Sequence, residues 1–193
     1  MSEIATAAAS AITATAALTE ISKRTVGAAL RSVIVHLSNY SSNILINPQV
    51  YTYSGYCCDP PKPTVRQGVT DVCAFRHTIG AVCGAVGVLT YDIAEHQRMK
   101  PVKSLAVMFS VPYNYIHYDN WFSLGLFDID RACDKSLYEH MYYQKGKFTR
   151  GKASGSEIRY QCGKYTLRGT MSPVAKAFMK VEFLDETSFD QFD

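Results

Sequence analysis

Between positions 109 and 122 the chain reads F-S-V-P-Y-N-Y-I-H-Y-D-N-W-F, which places Tyr113, Tyr115, Tyr118 and Trp121 within a short stretch beside Pro112. A run this aromatic and this interrupted is poor material for a regular core strand. At a surface such rings have two chemistries. Their faces attract quaternary ammonium groups, worth ~0.5–2 kcal/mol per good contact. Their amphipathic bodies settle at the headgroup level of a bilayer. Any single ring could instead pack in a core. The whole chain holds 13 Tyr against 1 Trp, and Tyr suits half-wet surfaces because an apolar ring carries a polar tip.

Other chemistries find little support. His36, His77, His96, His117 and His140 show no H-x-H or H-E-x-x-H spacing, and neither G-x-S-x-G nor a P-loop occurs. Glu95-His96 and Glu139-His140 are adjacent pairs, but neighbours on a strand or helix point apart. No enzyme mechanism and no cofactor follow. Cys57, Cys58, Cys73, Cys83, Cys133 and Cys162 form no C-x-x-C or zinc-like pairing. The expectation is reduced, mostly buried thiols, with the adjacent Cys57 and Cys58 the exception if the protein is released from a cell.

The elements that must position these residues are mostly strands. Strand-like runs cover residues 32–38, 43–53, 71–78, 79–92, 104–111, 120–127, 157–162, 165–171 and 175–184. In the fifth of these Leu105, Val107, Phe109 and Val111 share one face. Pro48 marks an edge or bulge in the second. Gly80, Gly84 and Gly87 predict close strand packing. Many short strands separated by turn signals suggest a sandwich or barrel. Residues 132–143 break the pattern, since Leu137 and Met141, like Tyr138 and Tyr142, are spaced as on a helix.

The first thirty residues differ again, with abundant Ala and Thr and no charge but Glu3 and Glu20 before residue 23. Ala favours helix. Ile4, Ile12, Leu18, Val26 and Leu30 gather on one side of a wheel, and Ser2, Thr6, Thr13, Glu20 and Arg24 on the other. A helix over residues 4–24 would be about 30 Å long, the hydrocarbon thickness of a bilayer. A surface helix or loose tail is the plainer alternative. No signal peptide and no constitutive membrane span is evident. The chain is expected to be soluble when made, cytoplasmic or released non-classically, and then associated with a target membrane. A net charge of +3 is compatible with an anionic surface and too weak to argue for nucleic acid. The acidic end from residue 184 reads as a solvated tail.

The strings G-A-V-G-V-L-T-Y (84–91), L-A-V-M-F-S-V-P-Y-N-Y (105–115), Y-D-N-W (118–121) and L-Y-E-H-M-Y-Y (137–143) resemble the actinoporins. These are sphingomyelin-dependent pore-forming cytolysins of sea anemones, with relatives in fish and moss. A chain with cysteines and no evident signal looks most like the fish-type branch. The resemblance runs from Arg31 to about Leu184, and S-V-P-Y-x-Y-x-x-Y-x-N-W is its most specific part.

The resemblance implies a mainly β fold: an actinoporin-like sandwich of ten to twelve strands flanked by two α-helices. Residues 1–30 would be a membrane-inserting helical segment, and residues 31–193 a headgroup-binding domain. It implies a phosphocholine site at Ser54, Val86, Ser110, Pro112, Tyr118, Tyr138, Tyr142 and Tyr143. Tyr rings there would cage the choline, and hydroxyls would meet the phosphate. It also implies a membrane anchor or second lipid site at Arg31, Tyr113, Tyr115, His117, Trp121 and Phe122. Implied partners are sphingomyelin and phosphatidylcholine, and further copies of the chain, which would be a monomer in solution and an oligomer on the membrane. The alternative is a non-lytic lipid- or glycan-binding module, because the same sandwich resembles fungal fruit-body lectins. The chain departs from the family's pattern at His117, where a Trp is expected, and at Arg150-Gly151-Lys152, where R-G-D is expected. Its six cysteines and its Ala/Thr-rich start also depart from the anemone members.

Overall fold

A computed structural model describes residues 30–95 and 100–186. The expected first helix and the acidic tail beyond residue 186 lie outside the described residues. Twelve strands occur among the described residues, in chain order: β1 (Ser32–Asn39), β2 (Ile44–Ser54), β3 (Tyr56–Asp59), β4 (Thr64–Val65), β5 (Val69–Arg76), β6 (Ala85–Ala94), β7 (Pro101–Val111), β8 (Trp121–Phe127), β9 (Phe148–Lys152), β10 (Ile158–Cys162), β11 (Tyr165–Met171) and β12 (Lys176–Asp185). They form two six-stranded sheets, ordered β10-β11-β12-β1-β5-β3 and β4-β2-β6-β7-β8-β9. The β1–β12 pair is parallel. One helix, α1 (Lys135–Tyr143), is found among the described residues.

Alternation builds the core between the sheets. Val33, Val35 and Leu37 of β1 face Leu89, Tyr91 and Ile93 of β6 and Leu105, Val107 and Phe109 of β7 in one buried cluster. β6 and β7 are also buried on their other face, where Val86, Val88, Ala106 and Met108 meet Leu137, Tyr138 and Met141 of α1. Covering both faces is why these strands read as unbroken apolar runs rather than alternating ones.

Local chemistry explains the boundaries. Asp134 is extended and its side chain accepts the Leu137 N–H at 2.9 Å, so the helix starts after it. Pro48 sits where the β2–β6 register slips between Ile46 and Gln49, beside Asn47 at φ 51, and β4 pairs only with Leu45 and Ile46. The expected bulge is therefore present. Gly84 and Gly87 have no room for a Cβ, which would fall 2.3 Å from the Val111 carbonyl and 2.4 Å from that of Tyr51. Gly80 serves differently, at φ +81 in a turn closed by Ala81 N–H to the Thr78 carbonyl. The expected strand over 79–92 thus begins only at Ala85.

The thiols are less buried than expected. Cys73 is buried, Cys57, Cys58, Cys83 and Cys133 are half-buried, and Cys162 is exposed. β3 lies at a sheet edge, so Cys57 and Cys58 pack against clusters on its two faces, and neither is enclosed.

Candidate functional site

The register of the second sheet lays a rung of side chains across it. Ser54 pairs with Val86, Val86 with Ser110, Ser110 with Trp121, and Trp121 with Lys152. Directly opposed residues share a face, and this face is the one α1 covers. Val86 and Ser110 are buried and form a floor. Ser54 is fixed beside them, accepting the Gly84 N–H at 3.2 Å and donating to the Gly84 carbonyl at 3.3 Å. Gly84 lies against Pro112, the first residue after β7, so a loop position joins the floor.

The C-terminal half of α1 supplies a wall of rings. Tyr138 and Tyr142, one turn apart, stack with centroids 5.6 Å apart, and Tyr143 meets Tyr142 edge-on at 4.7 Å. Tyr53 of β2 stacks on Tyr138 at 4.8 Å. Tyr143 is 65% exposed and Tyr118 58% exposed, and Tyr118 is close enough to act electrostatically on Tyr143. Burial, and then the neighbouring phenols, push the Tyr138 and Tyr143 hydroxyls above the usual phenol range. They remain protonated donors at neutral pH. Ser54, Val86, Ser110, Pro112, Tyr118, Tyr138, Tyr142 and Tyr143 therefore gather at one end of the sandwich. Tyr53 belongs with them and was not singled out in the sequence. Its only signal was its place beside Ser54.

The second group of candidates divides. Arg31 sits just before β1 and its guanidinium is already engaged. Nε donates to the Pro112 carbonyl at 2.9 Å, Nη2 to the Tyr113 carbonyl at 2.6 Å, and Nη1 to the Leu30 carbonyl at 2.8 Å. Its carbon lies 5.4 Å from the Tyr113 ring centroid and 4.8 Å from that of Tyr115. Tyr115 is pinned again, its hydroxyl donating to Asn120 Oδ1 at 2.6 Å. Buried Asn120 passes its amide to the Ser172 and Val174 carbonyls. Sequence reading missed Asn120 as the tie of this loop, because a single Asn inside Y-D-N-W gives no hint of which carbonyls it meets.

His117 is exposed and meets Tyr118 edge-on at 6.4 Å. Trp121 is half-buried, with the Arg150 guanidinium 5.5 Å from its ring centroid. Phe122 corrects an expectation. It is fully buried among the core residues, because the next residue along a strand points to the opposite face from Trp121. It cannot anchor in lipid while the sandwich is intact.

Two tips beside the site expose apolar side chains that the sequence reading passed over. The Thr78 turn presents Val82 at 78% exposure and Ile79 beside it. The aromatic loop presents Ile116 at 87% exposure, with the Ile116 N–H held by Asn114 Oδ1 and the Tyr118 N–H by the Asn114 carbonyl. Among the described residues no cluster of His, Cys, Asp or Glu could hold a metal ion, and no helix is long and apolar enough to cross a membrane.

Residues 4–184 match the family described as sea anemone cytotoxic protein. The chain belongs to this family, that of the actinoporin-like proteins. Deep-sea actinoporin Cjtox I of Cribrinopsis japonica is 30% identical over 113 residues, 58% of this chain and 49% of that protein. DELTA-actitoxin-Aeq1a of Actinia equina is 42% identical over 65 residues, 34% of this chain and 28% of that protein. The chain thus spans about half the length, or less, of these curated relatives. The lipid binding protein Nakanori shares the fold at a TM-score of 0.66 and 12% identity, over 86% of this chain and 75% of its own. The actinoporin-like motif residues fall on both sides of the division above. Those of the rung and the wall converge, whereas Arg31 is turned to the loop carbonyls of Pro112 and Tyr113 and lies between the rings of Tyr113 and Tyr115.

Proposed function

We propose that this actinoporin-like chain binds phosphocholine headgroups, sphingomyelin's among them, at the tyrosine wall. It then inserts residues 1–30 to build an oligomeric pore. The carrying observation is the exposed rings of Tyr53, Tyr118 and Tyr143, with half-buried Tyr142 stacked among them, beside the rung that joins Ser54, Val86 and Ser110. Ring faces suit a quaternary ammonium. Protonated phenols suit a phosphate, as hydrogen-bond donors with no charge of their own to desolvate. The exposed tips at Ile79, Val82 and Ile116 favour a bilayer over a free headgroup, since apolar side chains beside the site would enter the interface as the headgroup is captured.

Arg31 has a revised part in this reading. Its N–H groups that hold carbonyls fix the aromatic loop. The two left over can reach an adjacent phosphate, which a guanidinium favours. The protein is a monomer in solution and assembles only on the membrane.

Dye release from vesicles with and without sphingomyelin tests the proposal. Leakage is expected with it and little without. Removal of residues 1–30 should abolish leakage and spare binding. Binding with no leakage by the full chain would reduce the protein to a lipid-binding module, and leakage indifferent to choline lipids would sink the headgroup assignment.

A further inference from the structure

We propose a second binding site, for a neutral polyhydroxylated ligand such as a sugar, in a cavity at the opposite end of the α1-covered face. The cavity measures about 560 Å³, within the ~300–1,000 Å³ range of small-ligand sites. Helix α1 covers the middle of this face, over Val88, Ala106 and Met108. β6 and β7 run on past the start of the helix, and the segment around residues 129–133 bends over their ends. The site is independent of the membrane reading.

Its lining is predominantly polar, and the balance of groups selects the ligand. Thr90 and Ser104 are buried hydroxyls at the bottom. Asn47, held at φ 51 by the β2 bulge, donates from Nδ2 to Asp92 Oδ2 at 3.1 Å. That bond aims a fixed amide and carboxylate at the cavity's edge. Arg131 donates from Nη2 to Ser136 Oγ at 3.1 Å. Its Nε is buried with no acceptor among the described residues, and a buried donor calls for one.

An anion entering here would face two carboxylates, Asp92 and Asp130, against one guanidinium. A cation would face Arg131. A hydroxyl both donates and accepts, so neighbouring hydroxyls on one ring can satisfy Asp92 and Arg131 together. Gln49 offers both kinds of group at the rim, and Ile129, exposed beside it, offers an apolar surface to the C–H face of a ring. Such a ligand would not compete with a lipid headgroup. Val86 and Asp92 both lie on β6, about 20 Å apart at ~3.3 Å per residue.

The test is a printed array of neutral and sialylated glycans probed with the full chain. It is followed by calorimetric titration with methyl α-mannoside, methyl β-galactoside and methyl β-N-acetylglucosaminide. At least one neutral sugar should bind. Affinity should fall tenfold or more in Asp92→Asn, which keeps the shape of the side chain, and measurably in Gln49→Ala at an exposed position. Tyr142→Ala and added phosphocholine should leave it unchanged. Absence of any neutral glycan from the bound set, preference for sialylated ones, or full affinity in both Asp92→Asn and Gln49→Ala would overturn the site. Competition by phosphocholine would also overturn it, by moving the sugar to the tyrosine wall.

Discussion

Two sets of tyrosines sit close together in this protein and are used in opposite ways. Tyr113 and Tyr115 flank the Arg31 guanidinium, and Tyr115 also spends its hydroxyl on Asn120. Tyr138, Tyr142 and Tyr143 stack on one another and on Tyr53, and among them the described contacts are between rings. A ring face that already holds a cation has little left for another, whereas a stack leaves its outer members free. Residue type was the same in both stretches. The location of one arginine separates a structural cluster from a candidate binding wall.

The largest effect that sharpens this contrast concerns neighbours on β8. Phe122→Ala should cost ~3–5 kcal/mol, as for a large side chain removed from a close-packed core. Trp121→Ala, on the half-buried face, should cost far less. Denaturant midpoints would show the gap, and equal losses would mean that the two faces are wrongly assigned. Next comes Arg31→Gln. Losing hydrogen bonds from a charged donor costs about 1.5–3 kcal/mol. Hydrogen exchange over residues 112–120 should accelerate, and binding to choline-lipid vesicles should weaken as the guanidinium's reach to phosphate is lost. Unchanged exchange would show that Arg31 does not hold the loop.

Tyr142→Ala should weaken binding to choline-lipid vesicles by roughly tenfold, in line with one cation–π contact of ~0.5–2 kcal/mol. Tyr113→Ala should weaken it less. Flotation assays compare the two, and the reverse ranking would break the comparison outright.

The smallest expected effect is a pH dependence away from both sets. Asp71 is buried, and burial raises its carboxyl above the usual value near 3.8. Tyr91 donates to the Lys62 carbonyl or to Asp71 Oδ2, and Asp71 Oδ1 has no partner among the described residues. Because the folded state holds this proton more tightly, the contribution is full below pH 3.8 and is lost as pH rises through the raised value. Asp71→Asn should remove that component. The difference between wild type and variant in urea midpoints, measured from pH 4 to neutrality, gives its size. No change in that difference with pH would rule out a raised carboxyl.

Much of the frame was legible. Leu105, Val107 and Phe109 fell on one face as their alternation required, and Leu137 and Met141 fell on the buried side of α1 as their spacing required. The short strands β3, β4 and β9 were missed. β4 is only a two-residue pairing. β9 reads F-T-R-G-K, a polar run whose strand character comes from pairing with β8 rather than from its own pattern. At the site, Tyr138 and Tyr142 could be placed on one helix from sequence. Tyr53 could not be added to them, because its stacking partner lies far along the chain.

Local chemistry thus determined what kinds of element form, which face of each is apolar, and that the chain carries a surplus of rings near Pro112 and at the end of a helix. Those properties depend on neighbours within a few residues, where spacing translates directly into direction. Tertiary structure decided which rings remain open. It brought Arg31 onto the carbonyls of residues 112 and 113, turned Phe122 inward and Trp121 outward, and lined up Ser54, Val86 and Ser110 by register. Contacts between residues far apart in the chain depend on how strands pair, and a shift of one residue in pairing would have exchanged every inside for an outside.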